Sequence, residues 1–219
     1  MKPALIACLL AIVSPGLYAA DVSTFSFNSG MNCNGVWRLP DTGQTLCYDK
    51  QATPVGGACP GGGNGTGTGG QDGVYGPAAV QPRYTVLNPV GISSVTVDNV
   101  TGLMWVTNPR TDAGFAGAQK WESALTSCTV TLNGMAYAGY TDWRLPDVRE
   151  LMSIVDYGAA AAPRINTTAF PNTVSDYYWT STTYVPNTAR AFYVAFIGGA
   201  VNNIPKTDYY YVRCVRAGS

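Results

Sequence analysis

Cysteines constrain this chain more than any other feature. Six occur in 219 residues; Cys8 lies in an N-terminal leader, and Cys33, Cys47, Cys59, Cys128 and Cys214 follow it. The leader runs from Lys2 through an apolar stretch, Ala4 to Val13, to a Pro15-Gly16 break and small residues at Ala19 and Ala20. That is the pattern of a secretory signal, too short to span a bilayer. Residues 1–20 are therefore expected to be removed on export, although Leu17 or Tyr18 at the minus-three position is bulkier than signal cleavage prefers. Leu5-Ile6-Ala7-Cys8 also resembles a lipobox, but almost no apolar stretch precedes Cys8. In the expected compartment (periplasmic, extracellular or cell-surface) thiols pair by default. None of the remaining cysteines is spaced as CxxC, which argues against a zinc knuckle or a thioredoxin-type redox site. An odd number leaves one thiol over or pairs it between chains. The expected pairs are Cys128 with Cys214 and Cys47 with Cys59, leaving Cys33. The first closes a long loop, worth about 4 to 5 kcal/mol in the chain-entropy description.

The absence of histidine narrows the chemistry further. Without imidazole there is no Ser-His-Asp or Cys-His triad, no His-based zinc site and no covalent haem attachment. No cofactor or metal is expected. Lys and Arg total 13 against 13 Asp and Glu, so nothing marks the chain for a phosphate backbone, and nucleic acid is excluded as an expected partner. With 46% hydrophobic residues the chain can bury one core, and no later window is apolar enough for a membrane span.

Residues 21–80 read as a Cys- and Gly-rich segment, in which 56–70 is almost all Gly, Thr and Asn and is expected to be a loop. Its GxGxxG match at Gly65 to Gly70 has neither a strand before it nor a helix after it, so the nucleotide-binding reading fails. A domain is expected over 81–219. Val95 and Val97, then Leu103 to Val106, predict two short strands around a turn at Asn99 to Gly102. Trp121, Ala124, Leu125 and Cys128 share one face of a helix starting near Phe115. A second helix is predicted from Asp147, with Glu150 completing a capping box, to about Asp156–Gly158. Alternation then predicts strands through Trp179 and Phe192–Phe196, a hairpin turn at Gly198-Gly199, a return through Val201 to Pro205, and a last strand from Tyr209 to Val215. The expected class is α+β, with two helices packed on an antiparallel sheet and a cysteine staple between the layers.

Thr101-Gly102-Leu103-Met104-Trp105, Trp121 through Cys128, Gly139-Tyr140-Thr141-Asp142-Trp143-Arg144-Leu145-Pro146 with Glu150-Leu151, Tyr178-Trp179-Thr180-Ser181-Thr182 and Tyr211-Val212-Arg213-Cys214-Val215-Arg216 occur in order. Together they resemble the Lcl C-terminal domain family, named after a bacterial collagen-like adhesin. The resemblance covers about Val95 to Arg216 and implies a C-type-lectin-like fold, in which the Cys128–Cys214 loop matches the usual closing bridge. For the named adhesin it implies binding of sulfated glycans and self-association. This chain departs from it: it has no collagen-like Gly-X-Y tract and none of the Glu-Pro-Asn, Gln-Pro-Asp or Trp-Asn-Asp triplets of calcium-dependent lectins. The basic and acidic residues from Asp142 onward are nearly balanced, which weakens the sulfated-glycan inference.

Trp105, Trp121, Trp143 and Trp179 sit at core spacing and are read as packing residues; Asp142 and Arg144 are expected to form a local ion pair. The C-terminal third has a density of Tyr and Asn typical of binding loops. Tyr184, Asn187, Arg190, Tyr193, Asn202, Asn203, Lys206 and Tyr209 are the candidate ligand-binding residues. Such positions resemble a region of the kind that adenine-mutating retroelements diversify. The expectation is a secreted or cell-surface, non-enzymatic module that recognises a glycan or protein. One alternative is a structural subunit that self-associates through Cys33. Another, weaker, is a formylglycine-generating activity on a related fold.

Overall fold

The computed structural model describes residues 42, 44, 83–90 and 93–217. The glycine-rich tract, Cys33 and the expected Cys47–Cys59 pair lie outside the described residues. Two antiparallel sheets carry the fold. The first has the order β1-β2-β3-β7, from strands β1 (Tyr84–Val90), β2 (Ser93–Asp98), β3 (Leu103–Val106) and β7 (Val215–Ala217). The second has the order β4-β5-β6, from β4 (Tyr177–Thr183), β5 (Arg190–Ala195) and β6 (Val201–Pro205). Helix α1 (Trp121–Thr126) runs on into a π-helical turn, Ser127–Leu132, and α2 is Val148–Met152. The class is α+β, as expected, but with two sheets in place of one.

Side-chain alternation along the strands builds two cores. Met104 and Val106 face one, with Ala124, Cys128, Leu132, Trp143, Trp179, Val212 and Cys214. Trp105 faces the other, with Leu151, Ile154, Phe170, Tyr178, Val194, Phe196 and Val215. Period-two geometry therefore sends neighbouring residues of β3, β4 and the C-terminal stretch to opposite cores, so these segments are apolar on both faces.

The β2–β3 turn falls at the expected residues: Asp98 Oδ1 accepts the Val100 N–H at 2.9 Å, and Gly102 adopts φ 72°. Helix α1 starts at Trp121 and not near Phe115, because the preceding chain bridges to Tyr210 through Gln119. The predicted face of α1 is the face that meets the core. Cys128 lies in the π-helical turn and is bonded to Cys214 across 86 positions, with a Cα–Cα distance of 5.6 Å. Helix α2 has its capping box: Asp147 accepts the Arg149 and Glu150 N–H groups, and Glu150 Oε2 accepts the Asp147 N–H at 2.8 Å. It ends at Met152, earlier than predicted.

The predicted last strand, Tyr209 to Val215, is not one ladder. Tyr210 bridges to Gln119 and Tyr211 to Tyr178 beside the second sheet, whereas Val215 opens β7 beside β3. The chain changes sheets between these points, which interrupts regular pairing. Arg213, placed by the alternation opposite Cys214, is fully buried in that crossing. Its Nη1 donates to the Val106 and Thr107 carbonyls at 2.7 and 2.8 Å, and its Nη2 to Thr173 Oγ1 at 2.7 Å.

Asp142 and Arg144 do not pair with each other. Arg144 makes a bidentate pair with Glu150, both contacts 2.6 Å, and Asp142 Oδ1 accepts from Arg216 Nε at 2.6 Å. Each therefore ties its segment to a different element, Arg144 to α2 and Asp142 to β7.

Candidate functional site

Strand alternation decides which candidate residues share a surface. Trp179, Tyr193 and Asn202 lie directly across from one another on β4, β5 and β6, so their side chains are on one face of the second sheet. Tyr177, two residues before Trp179, joins them. Phe192 and Asn203 are paired on the opposite face, together with Arg190.

On the first face, Tyr210 is held over the sheet by its bridge to Gln119, and its ring lies 5.1 Å from Trp179, edge-on. Around it, Tyr177 and Tyr193 are 4.7 Å apart, Tyr177 and Tyr210 are 5.3 Å apart, and Tyr193 and Tyr210 stack at 6.0 Å. Trp179 is fully buried beneath this trio, its indole N–H donating to the Gln119 carbonyl at 2.8 Å. The three tyrosines are half-buried, and none of their hydroxyls is hydrogen-bonded to a described residue. Burial raises the Tyr193 pKa, with Tyr177 adding to it. Burial is also the main cause for Tyr210, followed by the Asp208 carboxylate, the two neighbouring tyrosines and Asp176. The Tyr193 and Tyr210 phenols therefore present neutral hydroxyls at physiological pH.

Lys206 lies toward the other end of the same face. Its Nζ donates to Thr183 Oγ1 at 2.9 Å and sits 3.9 Å from the centre of the Trp121 ring. Trp121, read from sequence as a core residue, is only partly buried; its indole N–H donates to the Thr180 carbonyl, and Lys206 covers the outer side of the ring. Tyr209 is exposed at the margin with Lys120 5.5 Å from its ring centre.

The opposite face holds another set. Arg190 Nε donates to Asn203 Oδ1 at 2.5 Å and Nη2 to the Asn203 carbonyl at 2.7 Å, while Tyr184 packs edge-on against Phe192. Asn187 shapes the β4–β5 hairpin by accepting the Ala189 N–H. Thus Tyr193 and Asn202 come together, Lys206 lies at the far end of their face, Tyr184, Arg190 and Asn203 form a separate group behind the sheet, and Asn187 and Tyr209 stand apart. Tyr177 and Tyr210 complete the first surface. The tyrosine density held them, but only the strand register could have selected them.

A family model described as the Lcl C-terminal domain matches residues 94–216, more than half of the chain. The chain belongs to the Lcl C-terminal domain family. No curated protein matches it. The residues that carried the resemblance to the Lcl C-terminal domain are framework residues in the structure. Gly102 makes the β2–β3 turn, Trp105 and Trp179 fill the cores, and Trp143 is clasped by Asn133, whose Oδ1 accepts the Trp143 N–H at 2.7 Å. Cys214 closes the disulfide and Arg213 and Arg216 bind inside the domain. The tyrosine face draws Tyr193 and Tyr210 from the stretches between those motifs. Among the described residues no group of three or more His, Cys, Asp or Glu is placed to hold a metal ion, and no helix is long and apolar enough to cross a membrane.

Proposed function

We propose that this Lcl C-terminal domain protein is a secreted or surface-displayed recognition module that binds a glycan or protein ligand through the Tyr177, Tyr193 and Tyr210 face. The observation that supports this most directly is a packed aromatic platform whose three hydroxyls have no hydrogen-bond partner among the described residues. Tyrosine rings held by a buried tryptophan give large contact area at low entropic cost, and Asn202 beside them adds adaptable hydrogen bonding. A C-type-lectin-like scaffold belongs to the same reading, because a disulfide from the π-helical turn after α1 to the C-terminal stretch locks the framework from which the face projects. The role is non-enzymatic on this reading: Cys128 and Cys214 are committed to each other, so they do not supply the reactive cysteine pair that a formylglycine-generating chemistry uses.

A glycan and protein array probed with the exported, disulfide-intact protein tests the proposal. Binding is expected, and it should disappear in a Tyr193→Ala/Tyr210→Ala variant that retains its thermal transition. No signal above background from folded protein would overturn it.

A further inference from the structure

Two points of the chain upstream of the family match, which spans residues 94–216, meet the domain at one place. The Tyr157 N–H donates to the Thr42 carbonyl at 2.8 Å. Arg83 Nη2 donates at 2.5 Å to the carbonyl of Ser153, the residue that follows α2. Ser153 and Tyr157 are so close in sequence that no more than about 14 Å of backbone separates the two anchors.

Each anchor is held from more than one side. Arg83 also faces Asp98 at 3.5 Å, and its own carbonyl accepts the Asn99 N–H at 2.8 Å, which fixes it to the β2–β3 turn. Tyr157 is fixed independently of Thr42: its hydroxyl donates to the Gly199 carbonyl at 2.7 Å, and its ring lies against Gly199 in the β5–β6 turn. Thr42 and Gln44 are half-buried, and Thr42 Oγ1 accepts the Gln44 N–H at 3.2 Å. The same bond shapes the β2–β3 turn, where Thr101 Oγ1 accepts the Leu103 N–H at 3.3 Å, and Thr42-Gly43-Gln44 repeats the order of Thr101-Gly102-Leu103. A hydroxyl that accepts from two residues ahead turns the chain locally, so the Thr42 carbonyl is offered to Tyr157 from a shaped segment.

We infer that the folded unit reaches back at least to Thr42, as a strap clasped to Tyr157. Residues 45–82 are then an insert tied off at both ends on the Ser153–Tyr157 stretch, and not a linker between two bodies. Holding both ends of a segment at one spot costs closure entropy, which the bonds made by Thr42 and Arg83 offset. The glycine-rich tract and the expected Cys47–Cys59 pair both fall within that insert. The inference does not depend on what the tyrosine face binds.

Amide hydrogen exchange of the exported, disulfide-intact chain, read residue by residue by NMR, tests it. The Tyr157 amide should be protected, and replacing residues 41–45 by Gly-Ser-Gly-Ser-Gly should speed its exchange about five- to tenfold, the share of one hydrogen bond that opens locally. The Val106 amide, which donates to the Cys214 carbonyl at 3.1 Å inside the core, should not change. A Tyr157 amide that exchanges like an unstructured peptide in the native chain, or that ignores the replacement, would overturn the inference. Where the replacement speeds Val106 as well, Thr42→Ala decides, because it removes only the hydroxyl that shapes the turn. Tyr157 must then exchange faster while Val106 does not, and any other pattern overturns the strap.

Discussion

Arg213 shows how much a single buried side chain can organise. It is fully buried and has no carboxylate partner among the described residues; its charge is spread over two carbonyls, a hydroxyl and the face of Phe170, 4.9 Å away. Burial pulls its pKa down to about 10, which leaves it charged at neutral pH. Lysine keeps the charge but has no planar fork to reach both sets of acceptors, so Arg213→Lys should cost about 2 to 4 kcal/mol in urea unfolding. Gly199 is the second such residue. Its φ is 81°, and a Cβ there would lie 2.5 Å from Tyr157 Cε1. Gly199→Ala should lose about 1 to 3 kcal/mol in the same assay, combining left-handed strain with the ring clash. In a Tyr157→Ala background the clash is gone, and the penalty should shrink to about 1 kcal/mol, the part that belongs to the backbone.

Helix α2 is too short to hold itself, so its N-terminus depends on side chains. Glu150 serves both the capping box and Arg144. Burial alone would raise the Glu150 pKa, but the hydrogen bond from Arg144, the Asp147 N–H and the Arg144 charge together outweigh it and set it below 4.5. The hydrogen bond from Arg216 likewise lowers Asp142 below 3.8. A carboxylate with a depressed folded-state pKa stabilises the fold fully above its unfolded value, and that stability fades as pH falls through the folded value. Wild type should therefore lose stability below about pH 4.5, and Glu150→Gln, about 1 to 2 kcal/mol weaker at neutral pH, should show a flatter acid limb in pH-dependent melts. Among the elements, α2 was legible in sequence because capping chemistry is local. Strand β1 was not: Asn88-Pro89 blurs its alternation, and its register shifts between Leu87 and Val90, so its pairing with β2 supplies the order that its own residues do not.

Across the whole molecule, the Cys128–Cys214 bond joins the π-helical turn that continues α1 to the stretch that crosses between the sheets. Both cysteines are fully buried, and the closed loop is long, so Cys128→Ala/Cys214→Ala should lower stability by about 4 kcal/mol. The test is calorimetry with and without reductant: wild type should fall toward the double variant only when reduced, and the variant should not respond. The candidate site belongs to this scale as well. Composition singled out the C-terminal third as the expected binding region, but six of the eight candidate residues divide between two faces of one sheet, Asn187 and Tyr209 lie off both, and Tyr177 and Tyr210 join the first face. Local alternation assigns faces only within a strand. Which faces of different strands coincide depends on register and on the bulge between Trp179 and Thr183, both set by long-range pairing.

What the sequence determined by itself was everything written in local chemistry or strong periodicity: the α+β class, the β2–β3 turn, the capping box, the buried face of α1, the cysteine partnership between that helix and the C-terminal stretch, and the family. What only the tertiary structure decided was the division into two sheets, the partners of Asp142 and Arg144, the burial of Arg213, and the assembly of three tyrosines over Trp179. Those depend on contacts between residues far apart in the chain, and a side chain's neighbours across such distances are fixed by packing and not by its position in the sequence.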